Sequence, residues 1–397
     1  MTPQQKRIIL QNIDTFSLEQ IIDIIKSGKI SLDEFIASGL NQNLVKQLKA
    51  SLITQEERAR IEKERNELIE KIKIGNVNAE LIKKQINEGN LTFDDLKNMG
   101  IDNKLINSLK HYCNSNRTTM FSTVEQLPKM QEGRTDVYFI GVPGSGKSTM
   151  LSGILNSANK KGILMPDTYN NNGSVYQSQI ISDLNMGVLP MATASGSYNY
   201  LPLSIKDSNE VNHPFNIVEV PGENFISMFN SGDVPSLLNY IKNKNKKIII
   251  FVIDSLAQHA DYDESSQYYD QNLVYTNILN MFLNNGVVEQ TDAIYIVANK
   301  FDAINKNQNA SLDEQLTIAN QYLSQEYLSL INNCKNARSL SRNDFKIKVF
   351  PFSIGKVKFA SIIEEFNNEY STNIVNHLLE DSFVVRGGRF GKFFKTN

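Results

Sequence analysis

The sequence is short of the residues that build disulfide frameworks and zinc sites. Cys113 and Cys334 are the only cysteines among 397 residues. They make neither a disulfide scaffold nor a four-ligand zinc site. The four histidines (His111, His213, His259 and His377) are scattered, with no pair at metal-ligand spacing. An excess of one charge is also missing. Lys+Arg 41 against Asp+Glu 43 leaves a net charge of -2, without the large positive excess of a nucleic-acid binder, and no nucleic-acid partner is expected. No apolar run is longer than that at 248–253, whereas a membrane helix needs roughly 20 residues. The opening MTPQQKRIILQN lacks the apolar centre of a signal peptide, and the expected location is the cytoplasm. Abundant Asn, Ile and Lys fit an AT-rich bacterial genome. What is present suffices for folding: 41% hydrophobic and 21% charged residues support a globular core. The length suggests two to three domains of about 150 residues.

The first third contains an internal repeat. IIDIIKSGKISLDEFIASGLNQNLVKQLKASL, from Ile21, matches LIKKQINEGNLTFDDLKNMGIDNKLINSLKHY, from Leu81, at an offset of 61 residues, which pairs Gly28 with Gly89 and Gly39 with Gly100. The offset also pairs Ile30 with Leu91, Phe35 with Leu96, Leu44 with Leu105 and Leu48 with Leu109. Apolar positions at three- and four-residue steps predict helices with one buried face. Gly28 and Gly89 stand where a first helix stops. Ser31 and Thr92 then offer N-cap oxygens, with Glu34 and Asp95 three residues on. EERARIEKERNELIEKIK between the copies reads as a solvated helix. Residues 1–112 are expected to form a small all-helical region that docks an unidentified protein partner, and 113–134 a linker.

The chemistry begins at residue 137. VYFI (137–140) is followed by GVPGSGKST and then MLSGIL, which reads as strand, glycine-rich loop and helix. Gly141, Gly146, Lys147 and Ser148 fill GxxxxGK(S/T), with Gly144, Ser145 and Thr149 in the same loop. Backbone N–H groups in such a loop cradle phosphate oxygens at the positive end of the helix. Lys147 reaches the β- and γ-phosphates and the Ser148 hydroxyl ligates Mg²⁺. Much later, the buried-strand pattern AIYIVA (293–298) ends in Asn299-Lys300-Phe301-Asp302, the NKxD pattern. Asp302 can accept from guanine N1–H and the exocyclic amine, whereas adenine leaves that carboxylate unpaired, a difference worth about 10⁴-fold.

On these motifs residues 135–380 resemble a GTPase of the translation-factor-related P-loop class, which includes Ras-like and dynamin-like proteins. The resemblance implies an α/β fold with a mostly parallel sheet, GTP and GDP as ligands, Mg²⁺, and hydrolysis coupled to switch loops. It implies insertions near 155–190 and 255–275, since the span exceeds a minimal domain. Glu219-Val220-Pro221-Gly222 stands at the DxxG box, so Gly222 senses the γ-phosphate. Glu219 replaces the family's aspartate and holds Mg²⁺ through a water. Glu223 takes the place of the water-orienting glutamine. Thr193, or else Thr168, is the switch threonine that ligates Mg²⁺. Ser353-Ile354-Gly355-Lys356 loosely matches the loop whose backbone N–H reads guanine O6. Asp254, ending IIIFVI, is read as structural. The run VPGE resembles bacterial double-GTPase-like families.

One further absence bears on rate. No arginine occurs between Arg134 and Arg338, so the switch loops cannot carry an arginine finger, a group worth about 10³–10⁵ in rate. Slow turnover is expected unless an activating partner, a second copy in a homodimer, or a monovalent cation supplies charge. Two alternatives remain open. Glu219 and Glu223 also suit a GTP sensor or scaffold that does not hydrolyse, and GVPGSGKST also suits a small-molecule kinase, which has no use for NKFD. The segment 381–397 alternates cations with Phe390, Phe393 and Phe394, a pattern found at anionic membrane surfaces but too short to anchor alone.

Overall fold

The computed structural model describes residues 2–52, 55–115, 121–167, 173–191, 197–231, 235–258, 270–305, 307 and 310–383. The chain divides into two compact units, Met1–Asn76 and Val77–Asn397.

The first unit is helical. Its helices run Pro3–Gln11, Leu18–Lys26, Leu32–Ala37, Gln42–Leu52 and Gln55–Lys73. Thr2, Ser17 and Ser31 each accept from the backbone N–H of the third helical residue, whose Gln or Glu side chain reaches back. Such caps contribute about 0.5–2 kcal/mol each. Ile13, Ile21, Ile30, Phe35, Leu40 and Leu48 form the core.

The second copy of the repeat folds in the same way. Its helices, Ala79–Asn87, Phe93–Asn98 and Asn103–Asn114, start 61 residues after their counterparts (18 to 79, 32 to 93, 42 to 103). Gly28 and Gly89 turn the chain at φ of 68° and 77°. Ile82, Leu91, Leu96 and Leu109 are buried at the positions of Ile21, Ile30, Phe35 and Leu48. The helical region read over 1–112 is nevertheless divided at Asn76. The reason lies in long-range bonds that the repeat pattern does not encode. Ala79 N donates to Phe359 O (2.7 Å), Lys104 Nζ donates to Glu364 O (3.1 Å), and His111 Nε2 meets Asp183 Oδ1 at 2.7 Å. These bonds place the second copy in the C-terminal unit. The stretch 113–134 is likewise more than a linker: Val124, Leu127 and Met130 enter the α/β core, and Phe121 bridges Tyr198.

The C-terminal unit is α/β with a mostly parallel sheet, as the sequence predicts. Its strands are β1 (Thr135–Ile140), β2 (Leu164–Pro166), β3 (Asn199–Lys206), β4 (Asn212–Glu219), β5 (Lys246–Asp254), β6 (Thr291–Asn299) and β7 (Lys346–Phe352). They form one sheet in the order β2-β3-β4-β1-β5-β6-β7. β1 pairs in parallel with β4 and β5, β5 with β6, and β6 with β7, while β2/β3 and β3/β4 are antiparallel. A hairpin of β8 (Gly355–Lys358) and β9 (Ile362–Phe366) follows. Residues 248–253 and 293–298 are buried throughout, which is why they read as unbroken apolar runs. In the expected 155–190 insertion stand β2 and the helix Ser174–Asn185. Of the expected 255–275 insertion, 259–269 lie outside the described residues, as do 384–397 of the C-terminal segment. Because β1, β4, β5, β6 and β7 run the same way, the loops that follow them gather at one edge of the sheet. Open α/β sheets bind ligands at that edge.

Candidate functional site

β1 runs into the loop 141–146. Gly144 and Gly146 adopt φ of 77° and 88°, and Gly146 caps the helix Lys147–Lys160 in the left-handed region. A Cβ on Gly146 would lie 2.2 Å from Asn299 Nδ2. The same Asn299 Nδ2 donates to Ser145 O at 2.6 Å, so the loop after β1 and the turn after β6 are bonded to each other. Tyr275 Oη donates to Val252 O (2.9 Å) and accepts from Val142 N (3.1 Å), which anchors the start of the loop, beside Gly141, to β5.

Lys147 is buried in this loop. Its Nζ donates to Gly141 O (2.8 Å) and Val142 O (3.2 Å). Burial pushes its ammonium down to about 8, against the opposing pull of the Glu219 and Glu223 carboxylates. The next hydroxyl, Ser148 Oγ, donates to Glu219 Oε1. Glu219 has no exposed surface, and its Oε2 accepts from Tyr176 Oη (2.5 Å) and Asn199 Nδ2 (3.0 Å). Gly222 opens the helix Gly222–Ser231, and a Cβ there would come within 2.4 Å of Pro143 N. The turn after β4 therefore lies directly on the loop after β1.

The turn after β6 holds Lys300 at φ 55°, with its Nζ 2.7 Å from Asp254 Oδ2. That pair agrees with the structural reading of Asp254. Asp302 is exposed and its Oδ1 accepts from Ser353 Oγ at 2.7 Å. Ser353 also accepts from Gly355 N (3.2 Å), and Ile354 beside it is buried. Two segments 51 residues apart in sequence, one ending β6 and one ending β7, are thereby joined side chain to side chain.

A cavity of about 350 Å³ opens between these loops. Gly144, Gly146, Lys147, Ser148 and Thr149 line one wall, with Gly222, Glu223 and Lys300 elsewhere on it, whereas the expected base-side residues Asn299, Asp302, Ser353 and Ile354, and Gly141 and Ser145, are not among its lining residues. Glu219 lies behind Ser148, in the protein interior. Thr193 and Thr168 lie outside the described residues. Four lining residues carry no sequence signal: Leu189, Pro190, Ala360 and Ser361. Ala360 and Ser361 belong to the β8–β9 turn, and Leu189 N donates to Ser361 O at 2.8 Å. Tyr176 and Asn199 were also invisible as site residues.

The donors suit a phosphate chain with a divalent cation. The loop presents backbone N–H groups at a helix N-terminus, with one buried ammonium and a hydroxyl–carboxylate pair beside it. Among the described residues no group of three or more His, Cys, Asp or Glu forms a metal cage. A cation here would take most of its ligands from phosphate and water, as Mg²⁺ commonly does.

Strand order, the glycine loop between β1 and its helix, and the Asn-Lys-x-Asp turn after β6 together make a mostly parallel α/β fold with a P-loop at the edge where the strands end. No protein-family model and no curated protein matches the chain. Among solved structures it is similar to the signal recognition particle receptor SRb-GTP/SRX complex from Chaetomium thermophilum, at 15% identity and TM-score 0.33, over 62% of this chain and 99% of that one. Toc33 from Arabidopsis thaliana, in a dimerization-deficient mutant, gives 14% identity and TM-score 0.31, over 64% and 88%. Roco2 RocCORdC of Methanosarcina barkeri, bound to GDP, gives 14% and 0.27, over 69% and 56%. At such scores the fold assignment rests on the chain's own strand order and loop geometry. Among the described residues no helix is long and apolar enough to cross a membrane.

Proposed function

We propose that the protein binds GTP with Mg²⁺, hydrolyses it to GDP and phosphate, and acts as a switch whose helical N-terminal region contacts a protein partner. The observation that carries this reading is the bond from Asn299 to the Ser145 carbonyl, which fixes the base-side turn to the phosphate-side loop. Loop N–H groups and Lys147 bind the β- and γ-phosphates. Ser148, and Glu219 through a water, hold Mg²⁺, which neutralises phosphate charge. Asp302, steadied by Ser353, accepts from the guanine N1–H and amine, and the Ser353–Ile354 backbone meets O6. The base desolvates an exposed carboxylate, so a base without matching donors loses affinity. Glu223 on the cavity wall orients the attacking water, and its charge opposes the phosphate. With no arginine between 134 and 338, isolated turnover is slow and an activating partner or a second copy raises it.

Competition of GTP, ATP and XTP for a fluorescent guanine nucleotide tests this. GTP is expected to win by orders of magnitude, with Asp302→Asn shifting preference toward XTP. Equal competition by ATP, unaltered by the substitution, would overturn guanine recognition. Phosphate release separates hydrolysis from the sensor reading: tight GTP binding with no release, at any protein concentration, favours the sensor.

A further inference from the structure

Glutamate at position 219 poses a geometric problem. Its extra methylene adds a rotatable bond between backbone and carboxylate, and an unrestrained carboxylate gives up rotamer entropy each time it is used. The surroundings remove that freedom. Asn199 stands directly opposite Glu219 in the antiparallel β3/β4 register, and donates across the pair to Oε2 at 3.0 Å. Tyr176, near the start of the helix Ser174–Asn185, donates to the same oxygen at 2.5 Å. With both donors on Oε2, Oε1 is turned toward the Ser148 hydroxyl.

The geometry points to Tyr176 and Asn199 as positioning residues for the divalent cation of the bound nucleotide: they lock the Glu219 carboxylate so that Oε1 faces Ser148. This rests on the GTP and Mg²⁺ reading above. The Ser148 hydroxyl and Glu219 Oε1 stand together, an oxygen pair of the kind that would hold a divalent cation directly and through a water. Partners that orient the groups around a metal typically change its affinity 10- to 100-fold when removed. The clamp comes from an element inserted between the P-loop helix and β3, so it compensates the longer side chain with a donor from outside the strand pair.

The test uses the full chain and fluorescent GDP, titrated in EDTA and across Mg²⁺ concentrations, with wild type, Tyr176→Phe and Asn199→Ser. Expected for Tyr176→Phe is a GDP affinity in EDTA within about twofold of wild type, and a half-saturating Mg²⁺ concentration raised about tenfold or more. Asn199→Ser is expected to move the same quantity in the same direction, which guards against one variant failing to fold; thermal melts of both check this. An unchanged Mg²⁺ requirement in both variants overturns the inference. So does an equal loss of affinity in EDTA and in Mg²⁺, which marks a purely structural role. Absence of GDP binding in wild type overturns the nucleotide reading itself, a different outcome.

Discussion

Lys247, the second residue of β5, has no exposed surface, and its Nζ donates to the carbonyls of Asn243 and Asn245 at 2.6 Å each. Burial pushes its ammonium down to about 8, against the pull of the Asp136 carboxylate. Lysine in the unfolded chain titrates near 10.4. Between those values the unfolded chain binds more protons, so this group makes stability rise with pH through that window. Lys147, also lowered to about 8, acts in the same direction. Buried tyrosines such as Tyr275, raised above 10, oppose the trend once unfolded phenols ionise. Denaturant midpoints from pH 7.5 to 9.5 are therefore expected to show a shallower upward trend in Lys247→Met than in wild type. Identical slopes would mean that Lys247 does not titrate in this range. At this scale the sequence was legible where backbone geometry forces a residue type, as at Gly146 with its φ of 88°. It was silent on Tyr176 and Asn199. Their role comes from the β3/β4 register and from where one inserted helix lies, neither of which leaves a local pattern.

The repeat helices were legible almost to the residue, because glycine stops, capping boxes and apolar spacing all agree in both copies. The β8–β9 turn was not. Phe359 and Ala360 sit at φ of 53° and 56°, a left-handed pair without a glycine. Each such residue costs about 1–2 kcal/mol, so local preference argues against a turn here. The position is held by its surroundings: Phe359 is buried, and Ile363 N donates to Gly187 O at 2.8 Å just beyond the turn. Ala360→Gly removes one strained residue while freeing the unfolded chain, for a net gain of about 0.5–1 kcal/mol. Chemical denaturation checks this, and a lower midpoint in the variant would show that Ala360 is unstrained.

The division of the chain after Asn76 has a direct consequence for truncation. Residues 77–397 are expected to unfold in a single transition and to bind fluorescent GDP with wild-type affinity. Residues 113–397, shorn of the second helical copy, lose the bonds to Phe359, Glu364 and Asp183 and should melt at a lower temperature. Equal melting of the two fragments would show that the second copy contributes nothing to the α/β body. The repeat suggested otherwise, since sequence similarity groups the two copies while their long-range bonds separate them. Those bonds also fix where a pull on the chain would first be resisted. The chain leaves the first unit at Asn76, and three residues later the Ala79 amide is tied to the Phe359 carbonyl, whose neighbours Ala360 and Ser361 form part of the cavity wall. A pull on the backbone at Asn76 would therefore meet the Ala79–Phe359 bond first, beside the cavity wall, before any strand of the sheet.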